Sequence, residues 1–267
     1  MPDRLQENRY CKQILLEEIG EEGQKRLLNS SVVVAGCGGL GSMISNCLVR
    51  AGVGSVTIVD RDFVELDNLQ RQILFDEEDV KRGSPKSLAA AEKLRRINSE
   101  VRIEPIVAEI SPENIEDLIK GTDLVFDGTD NFETRFLIND ACLKLGVPWI
   151  YGGIMETRGL CFAIIPGETP CFRCIVPELP TPGDFPYCGT FGILGTAVSI
   201  VASLEVTEGI KLLVKRNDAL LGGLINIDVW TGSCELVKIR NGLTKCPACG
   251  QKRFEFLQRG KRNKPAG

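Results

Sequence analysis

Short apolar runs alternate with segments of helical periodicity along the first 155 residues of the chain. The runs are rich in β-branched residues and end at glycine or aspartate, as in SVVVAG at 31–36 and SVTIVD at 55–60. Uninterrupted apolar strands that alternate with helices are typical of a parallel sheet covered on both faces. The predicted strands are 31–36, 55–60, 101–107, 123–127 and 148–152, and the predicted helices are 40–51, 84–97, 112–119 and 132–144.

The rhythm changes after residue 155. A strand at 159–165 is followed by a Pro-rich, Cys-bearing segment at 166–190, a long apolar helix at 191–214 and two strands at 223–229 and 234–239. We therefore expect an α/β fold whose mostly parallel central sheet is extended by C-terminal strands. Residues 1–257 are expected to form one domain with halves 30–153 and 154–257, followed by a disordered basic tail at 258–267.

A glycine-rich loop joins the first predicted strand to the first predicted helix. Gly36, Gly38 and Gly41 have the GxGxxG spacing, in which glycines let a phosphate approach the backbone and the helix N-terminus offers free N–H groups. Asp60 lies 19 residues beyond Gly41 at the end of the second strand, where a ribose hydroxyl is bound in such sites. The pattern predicts a Rossmann-like nucleotide site. A dinucleotide such as NAD, another nucleotide, or glycines with only a structural role all remain open on this motif alone.

Polar residues with the chemistry of a triphosphate site follow the second and third core strands. Arg71 and Lys86 are cations suited to phosphate, and Asp130 is a hard oxygen ligand suited to Mg²⁺. Solvated surface positions for the two cations, and a helix N-cap for Asp130, are the structural alternatives. The combination favours a nucleoside triphosphate over hydride transfer from a dinucleotide.

The chain has 267 residues and no histidine, which excludes Ser-His-Asp triads, Cys-His dyads and histidine-ligated zinc. A net charge of −4 disfavours nucleic acid and membrane surfaces as partners. The first 30 residues lack the apolar stretch of a signal peptide, and the longest uncharged segment, 188–204, is short for a membrane span. We expect a cytoplasmic protein with reduced thiols.

Two CxxC pairs stand out among the 11 cysteines. Cys171 with Cys174 and Cys246 with Cys249 have the spacing of a structural zinc site with four thiolate ligands. A redox dithiol is the alternative, although neither pair has the βαβ context of that motif. Six other cysteines are predicted to be core residues: Cys11, Cys37, Cys47, Cys142, Cys161 and Cys234.

Ordered motifs over residues 8–250 resemble the E1-like adenylating enzymes of the ThiF–MoeB–HesA family. The segments that carry the resemblance are RYCKQI (9–14), GCGGLGS (36–42), DNLQRQIL (67–74), SPK (84–86), GTDNFETRFLINDAC (128–142), PCFRC (170–174), YCGTFGILG (187–195) and KCPACG (245–250). The sequence looks most like the molybdopterin- and thiamine-pathway members that activate ubiquitin-like sulfur carriers. Two positions depart from the family pattern, with Lys12 in place of arginine and Phe75 in place of histidine.

The resemblance implies that ATP and Mg²⁺ bind in the glycine-loop half of the chain. The implied nucleotide contacts are Gly36, Gly38, Gly39, Gly41, Asp60, Asp62, Asp67, Asn68, Leu69, Gln70, Arg71, Lys86, Asp130 and Asn131. Asp130 is the implied magnesium ligand, Arg71, Lys86 and Asp130 are the implied catalytic residues, and Lys12 is expected to reach the nucleotide of a partner subunit in a homodimer.

The implied reaction is adenylation of the C-terminal carboxylate of a sulfur carrier protein that ends in Gly-Gly. Residues 154–257 are expected to bind the carrier, and a persulfide protein is the candidate sulfur donor. Cys188 precedes the helix predicted at 191, and a helix N-terminus favours a thiolate. Cys188 is therefore the candidate for a covalent bond with the carrier. An ordinary loop thiol is the alternative. The helix at 191–214 is equally suited to the core and to a dimer interface.

Two other functions compete with adenylation. An NAD-dependent oxidoreductase would explain the glycine loop and Asp60 but not the DNLQRQ and GTDN segments. A non-catalytic scaffold subunit with this fold is disfavoured by the retained cations and Asp130. The sequence does not specify which carrier is used.

Overall fold

A single mixed sheet organises the computed structural model, which describes residues 9–180, 192–239 and 244–258. The strands in the described part are β1 (Ser31–Ala35), β2 (Ser55–Val59), β3 (Arg102–Ile106), β4 (Leu124–Asp127), β5 (Trp149–Met155), β6 (Arg158–Ile164), β7 (Leu224–Asp228) and β8 (Ser233–Val237). The α-helices in the same part are α1 (Cys11–Ile14), α2 (Gly20–Leu28), α3 (Gly39–Ala51), α4 (Glu77–Arg82), α5 (Lys86–Ile97), α6 (Ile115–Ile119), α7 (Phe132–Leu145), α8 (Phe172–Ile175) and α9 (Gly195–Leu213). Short 3-10 turns lie at Leu66–Asn68, Asn217–Ala219 and Phe256–Gln258.

The strand order is β3-β2-β1-β4-β5-β6-β7-β8. The first five strands of this order pair in parallel, and the β5–β6, β6–β7 and β7–β8 pairs are antiparallel. The prediction of an α/β fold with a Rossmann-like, mostly parallel sheet extended by C-terminal strands is confirmed.

Alternate residues of the central strands pack on opposite faces of the sheet, as strand geometry requires. Val32 and Val34 join the core formed with α3, α5 and α9, whereas Val33 and Ala35 join the core formed with α6, α7 and the cysteine-bearing segment. Both faces are thus covered, and only the ends of the strands remain open for a site.

Some elements differ from the predicted ones. Helix α9 begins at Gly195 rather than at 191, because Ile193 pairs with Glu156 and the Leu194 N–H donates to the Glu156 carbonyl. The short helix α4 was not predicted, although Asp76 caps its start and Gly83, with φ of 59°, ends it. Cys234 was predicted to be a core residue, and this is wrong, since β8 lies at the sheet edge and exposes it.

None of the helices among residues 9–180, 192–239 and 244–258 combines the length and apolarity needed to cross a membrane.

Candidate nucleotide site and cysteine cluster

A cavity of about 440 Å³ opens at the carboxyl ends of β1 and β4. The chain leaves β1 towards β2 on one side, and β4 pairs with β1 on the other side. The two loops that follow β1 and β4 therefore diverge and leave a crevice, which is where open α/β sheets bind ligands.

Backbone contacts between glycines shape the floor of this cavity. Gly36 has φ of 89°, and a Cβ atom there would lie 2.6 Å from the Gly128 carbonyl oxygen. A Cβ on Gly41 would overlap the Gly36 carbonyl oxygen, so the start of α3 packs directly on the turn. Gly38 has a different surrounding, because a Cβ there would meet only Gln72 Nε2, at 3.9 Å. Gly36 and Gly41 are thus required by packing, while Gly38 leaves backbone open to a phosphate.

Asp60 ties the end of β2 to the glycine loop. Its carboxylate accepts hydrogen bonds from the backbone N–H of Cys37 at 2.6 Å and of Asp62 at 2.7 Å. Burial raises the pKa of Asp60, although both N–H donors oppose that shift. Each carboxylate oxygen keeps a further acceptor position, so the residue remains suited to a ribose hydroxyl.

Two cations line the cavity beside Asp60. Lys86 is nearly buried and its Nζ lies 3.2 Å from Asp62 Oδ2. Arg71 is held less tightly, since its Nη1 donates to the Asp67 carbonyl oxygen at 2.8 Å. Asn68, which is buried, lies in the 3-10 turn before Arg71 and also lines the cavity. Neither cation is a simple surface charge, because both face the same cavity.

The loop after β4 brings Asp130 and Asn131 to the rim of the cavity. Asn131 is the N-cap of α7, where its Oδ1 accepts a hydrogen bond from the Thr134 N–H at 2.8 Å. Asp130 is exposed, and the capping role considered for it belongs to its neighbour. Its carboxylate position is compatible with a magnesium ligand.

The structure brings most of the predicted site residues together. Those that line the cavity are Gly36, Gly38, Gly39, Asp60, Asp62, Asn68, Arg71, Lys86, Asp130 and Asn131. The others do not line it: Gly41 packs on Gly36, Asp67 binds Asn68, Leu69 packs on the core, Gln70 contacts the start of α9, and Lys12 lies in α1. Cys188 lies outside the described residues, so its predicted role stays a prediction.

Arg135 lines the cavity and was missed by sequence reasoning. It is 7% exposed, and its Nε donates to Asp127, which is fully buried at the end of β4. Thr129 joins the same network: its N–H and hydroxyl donate to Asp127 Oδ1 at 2.9 and 2.6 Å, and its carbonyl oxygen accepts from Arg135 Nη2 at 2.7 Å. The sequence did carry a signal for Arg135. It places a cation in the first turn of a predicted helix, where the helix dipole disfavours positive charge, so a negatively charged partner is expected.

Apolar residues close the two ends of the cavity. Ala108 and Ile110 lie at the end beyond β3, together with Glu109, which forms an ion pair with Arg61 at 2.5 Å. Ile154 of β5 and Ile193 lie at the other end. An elongated ligand would therefore cross the carboxyl ends of several strands.

The four CxxC cysteines form one cluster on the face of the sheet that α6 and α7 cover. Their Sγ atoms lie within 4.8 Å of one another, with separations of 3.7 Å between Cys171 and Cys246 and 3.6 Å between Cys174 and Cys249. A tetrahedral zinc ion with Zn–S bonds near 2.3 Å separates its sulfur ligands by about 3.8 Å. The cluster thus fits a structural zinc ion.

The thiols of the cluster influence one another strongly. A hydrogen bond from Cys174 lowers the pKa of Cys171 to about 5, and the same bond raises the pKa of Cys174. The first thiolate therefore forms easily and the next does not. A cation is the group that would let all four thiols ionise.

Helix α7 binds both cysteine-bearing segments. Asn139 Oδ1 accepts from the Phe172 N–H at 2.9 Å, and Asp140 Oδ2 accepts from the Phe256 N–H at 3.0 Å. Phe136 of the same helix packs on both rings, with centroids 5.3 and 4.7 Å away. Burial raises the pKa of Asp140 to about 6.

Comparison with known proteins gives consistent results. The sequence model of the ThiF family matches residues 10–248. The chain is 43% identical to the sulfur carrier protein ThiS adenylyltransferase of Bacillus subtilis, covering 97% of this chain and 76% of that protein. It is 41% identical to the SAMP-activating enzyme E1 of Haloferax volcanii, covering 93% and 91%. The crystal structure of E. coli MccB with ATP is similar in fold, with a TM-score of 0.79, 24% identity, and coverage of 92% of this chain and 75% of that one.

Proposed function

The chain belongs to the ThiF family, and on that premise we propose that it adenylates the C-terminal glycine carboxylate of a ubiquitin-like sulfur carrier protein, with release of pyrophosphate from ATP. One observation carries the proposal: the same cavity is lined by an open glycine loop, the Asp60 carboxylate and two cations. The relative from Bacillus subtilis, named for the same reaction on ThiS, supports the choice of a sulfur carrier as substrate.

The reaction is a displacement at the α-phosphorus of ATP. One oxygen of the carrier carboxylate forms a bond to that phosphorus, and the bond to the bridging oxygen of pyrophosphate breaks with its electron pair. A terminal carboxyl group has a pKa near 3.3–3.7, so the nucleophile arrives ionised and no proton has to be removed. The absence of histidine from the chain is therefore no obstacle to this chemistry.

The protein contributes positioning and charge neutralisation. Gly38 offers open backbone to the phosphates, and Asp60 is suited to the ribose. Arg71 and Lys86 would take up the charge that develops on the leaving pyrophosphate. Magnesium, held by Asp130 and phosphate oxygens, would supply further neutralisation there.

These cations distinguish the site from that of an oxidoreductase. A hydride-transfer site needs a pocket for the nicotinamide ring. Here Arg71 and Lys86 face the cavity beside the polar 3-10 turn, and two cations suit the charge of a triphosphate. We therefore do not favour NAD as the ligand.

The rest of the proposal concerns partners and the metal. A zinc ion at the four cysteines would stabilise the fold without entering the reaction. The protein would act as a homodimer in which Lys12 reaches the nucleotide of the partner subunit. Cys188 is the proposed attachment point for the carrier, and a persulfide protein is the proposed sulfur donor.

Carrier-dependent exchange of pyrophosphate into ATP tests the function. Asp130→Ala is expected to lower the exchange rate by at least about 100-fold, because it removes the proposed magnesium ligand. The matched control is Asp117→Ala, an exposed aspartate of α6 remote from the cavity, which should exchange like the wild type. Wild-type-like exchange by Asp130→Ala would sink the magnesium assignment, and no exchange by the wild-type protein with carriers ending in Gly-Gly would sink the function.

A further inference from the structure

Arg135 is held by three hydrogen bonds that use two of its three guanidinium nitrogens. Nε donates to Asp127 Oδ2 at 2.9 Å, and Nη2 donates to the carbonyl oxygens of Thr129 at 2.7 Å and Gly152 at 3.1 Å. These acceptors belong to β4, to the loop after it and to β5. The guanidinium group is therefore fixed relative to the cavity before any ligand arrives.

Aromatic rings lie against the same guanidinium group. Its central carbon is 5.9 Å from the centroid of the Phe132 ring and 5.4 Å from that of Tyr151. The third nitrogen, Nη1, has no hydrogen-bond acceptor among the residues that the structure describes. Because Arg135 also lines the cavity, the edge that carries Nη1 is the part of the group left for a ligand.

The position of Arg135 along the sheet separates it from Lys86. Lys86 pairs with Asp62, which follows β2, and the glycine loop follows β1. Arg135 lies beyond the glycine loop, at the β4–β5 end where Ile154 closes the cavity. In a displacement at phosphorus the entering and leaving oxygens lie on opposite sides. If pyrophosphate leaves on the side of Lys86, the entering group comes from the side of Arg135.

We propose that Arg135 binds the terminal carboxylate of the incoming carrier polypeptide and presents it to the α-phosphorus of ATP. This inference rests on the proposed function and adds a substrate-binding residue to it. One N–H of Nη1 holds one carboxylate oxygen, and the other oxygen keeps its lone pairs for attack. The free carboxylate oxygen forms a new bond to the α-phosphorus. The bond from that phosphorus to the bridging oxygen breaks, pyrophosphate leaves with its electron pair, and no proton moves.

The pairing of Arg135 with Asp127 suits this role. A full uncompensated positive charge would bind the carboxylate so tightly in the ground state that its nucleophilicity would fall. Asp127 offsets that charge, and the rigid network makes the remaining donor directional. A single preorganised donor thus orients the nucleophile at little cost to its reactivity.

Removing Arg135 alone would leave Asp127 buried without its partner, which destabilises proteins strongly. The test variant is therefore the double substitution Asp127→Asn/Arg135→Gln, which leaves polar groups at both positions and removes both charges. Its matched control is Asp218→Asn/Arg216→Gln, a pair on the surface away from the cavity. Circular dichroism and thermal melting establish that both variants are folded.

The probes are two synthetic peptides ending in Gly-Gly, one with a free carboxylate and one with a C-terminal amide. Their binding is measured by saturation-transfer NMR in the presence of an α,β-methylene ATP analogue. We expect the wild-type and control proteins to bind the acid at least about 10-fold more tightly than the amide, a typical magnitude for one charge-assisted hydrogen bond. The Asp127→Asn/Arg135→Gln variant should bind both peptides equally, with an affinity for the ATP analogue alone within about three-fold of the wild type.

Three outcomes would overturn the proposal. They are a wild-type protein with no preference for the acid peptide, a double variant that retains this preference, and a double variant whose affinity for the ATP analogue falls by as much as its affinity for the acid peptide. Carrier-dependent exchange of pyrophosphate into ATP by the wild type distinguishes a failure of the Arg135 proposal from a failure of the proposed function. If exchange occurs while the acid preference is absent, only the role of Arg135 falls.

Discussion

Glu205 is a buried carboxyl group directly behind the cavity. It lies in α9 and is 0% exposed, and neither of its carboxylate oxygens has a hydrogen-bond partner among the described residues. A Cβ on Gly152 of β5 would overlap this carboxyl group, so glycine at that position makes room for it. Burial, and then the charge of Asp127, raise the pKa of Glu205 well above its ordinary value of 4.5, while Arg135 opposes the shift. The folded protein therefore keeps the Glu205 proton to a higher pH than the unfolded chain does.

This protonation makes stability depend on pH. Above pH 4.5 the unfolded chain releases the proton of Glu205 and the folded chain keeps it, so the free energy of unfolding falls as pH rises towards the folded-state pKa. Glu205→Gln keeps the shape of the group and removes this loss. We expect the variant to match the wild type near pH 4.5 and to exceed it increasingly as pH rises, with a slope that approaches about 1.4 kcal/mol per pH unit until the folded-state pKa is reached.

Urea unfolding at several pH values between 4.5 and 7.5 measures the difference. Glu133→Gln, at an exposed position of α7, is the control and should show no such trend. A difference between Glu205→Gln and wild type that does not change with pH would contradict a buried, protonated Glu205.

At the scale of elements, α7 connects the nucleotide cavity to the cysteine cluster. Its first turn carries Asn131 and Arg135, and its later turns carry Asn139 and Asp140, which bind the two cysteine-bearing segments. Phe172, next to a cluster cysteine, also packs on Tyr151, 5.0 Å between centroids, and Tyr151 packs on Arg135. The cluster thus supports the helix that carries part of the cavity wall.

Sequence patterns predicted most of these elements because local signals sufficed for them. The strands are continuous apolar runs, and α3 follows glycines whose turn geometry is recognisable. The start of α9 was not predictable in this way, because it is set by pairing of Ile193 with Glu156, 37 residues earlier in the chain. The same limit applies to the site: Asp60 and Lys86 stand in recognisable segments, whereas the role of Arg135 depends on Gly152 and Tyr151, which only the folded sheet brings near.

Removal of the metal tests the contribution of the cluster to this arrangement. Cys249→Ser removes one thiolate ligand, so we expect loss of bound zinc and a melting temperature lower by on the order of 10 °C, because metal binding energy is also folding energy. Cys234→Ser is the matched control, since that thiol is exposed on β8 away from the cluster. Elemental analysis and calorimetry measure both quantities. A Cys249→Ser protein with unchanged zinc content would show that the four cysteines do not form the metal site.

At the scale of the whole molecule, Lys12 lies far from the cavity of its own chain. Helix α3 starts at the glycine loop and ends at Gly52, which packs against Tyr10 beside α1. A helix of 13 residues is about 20 Å long, and this length separates the neighbourhood of Lys12 from the phosphate end of the cavity. A role for Lys12 in nucleotide binding therefore requires a second copy of the chain.

Mixed dimers distinguish action between subunits from action within one. In a dimer of one Lys12→Ala chain and one Asp130→Ala chain, action between subunits leaves one site with both defects and one intact site. Each homodimeric variant is expected to exchange pyrophosphate poorly, whereas the purified mixed dimer should recover about half of the wild-type rate. Two affinity tags allow its isolation, and light scattering verifies its mass. If Lys12 acts within its own chain, both sites of the mixed dimer would be defective. If Lys12 does not act on ATP, the Lys12→Ala homodimer would be fully active. Either result excludes a role for Lys12 at the site of the partner subunit.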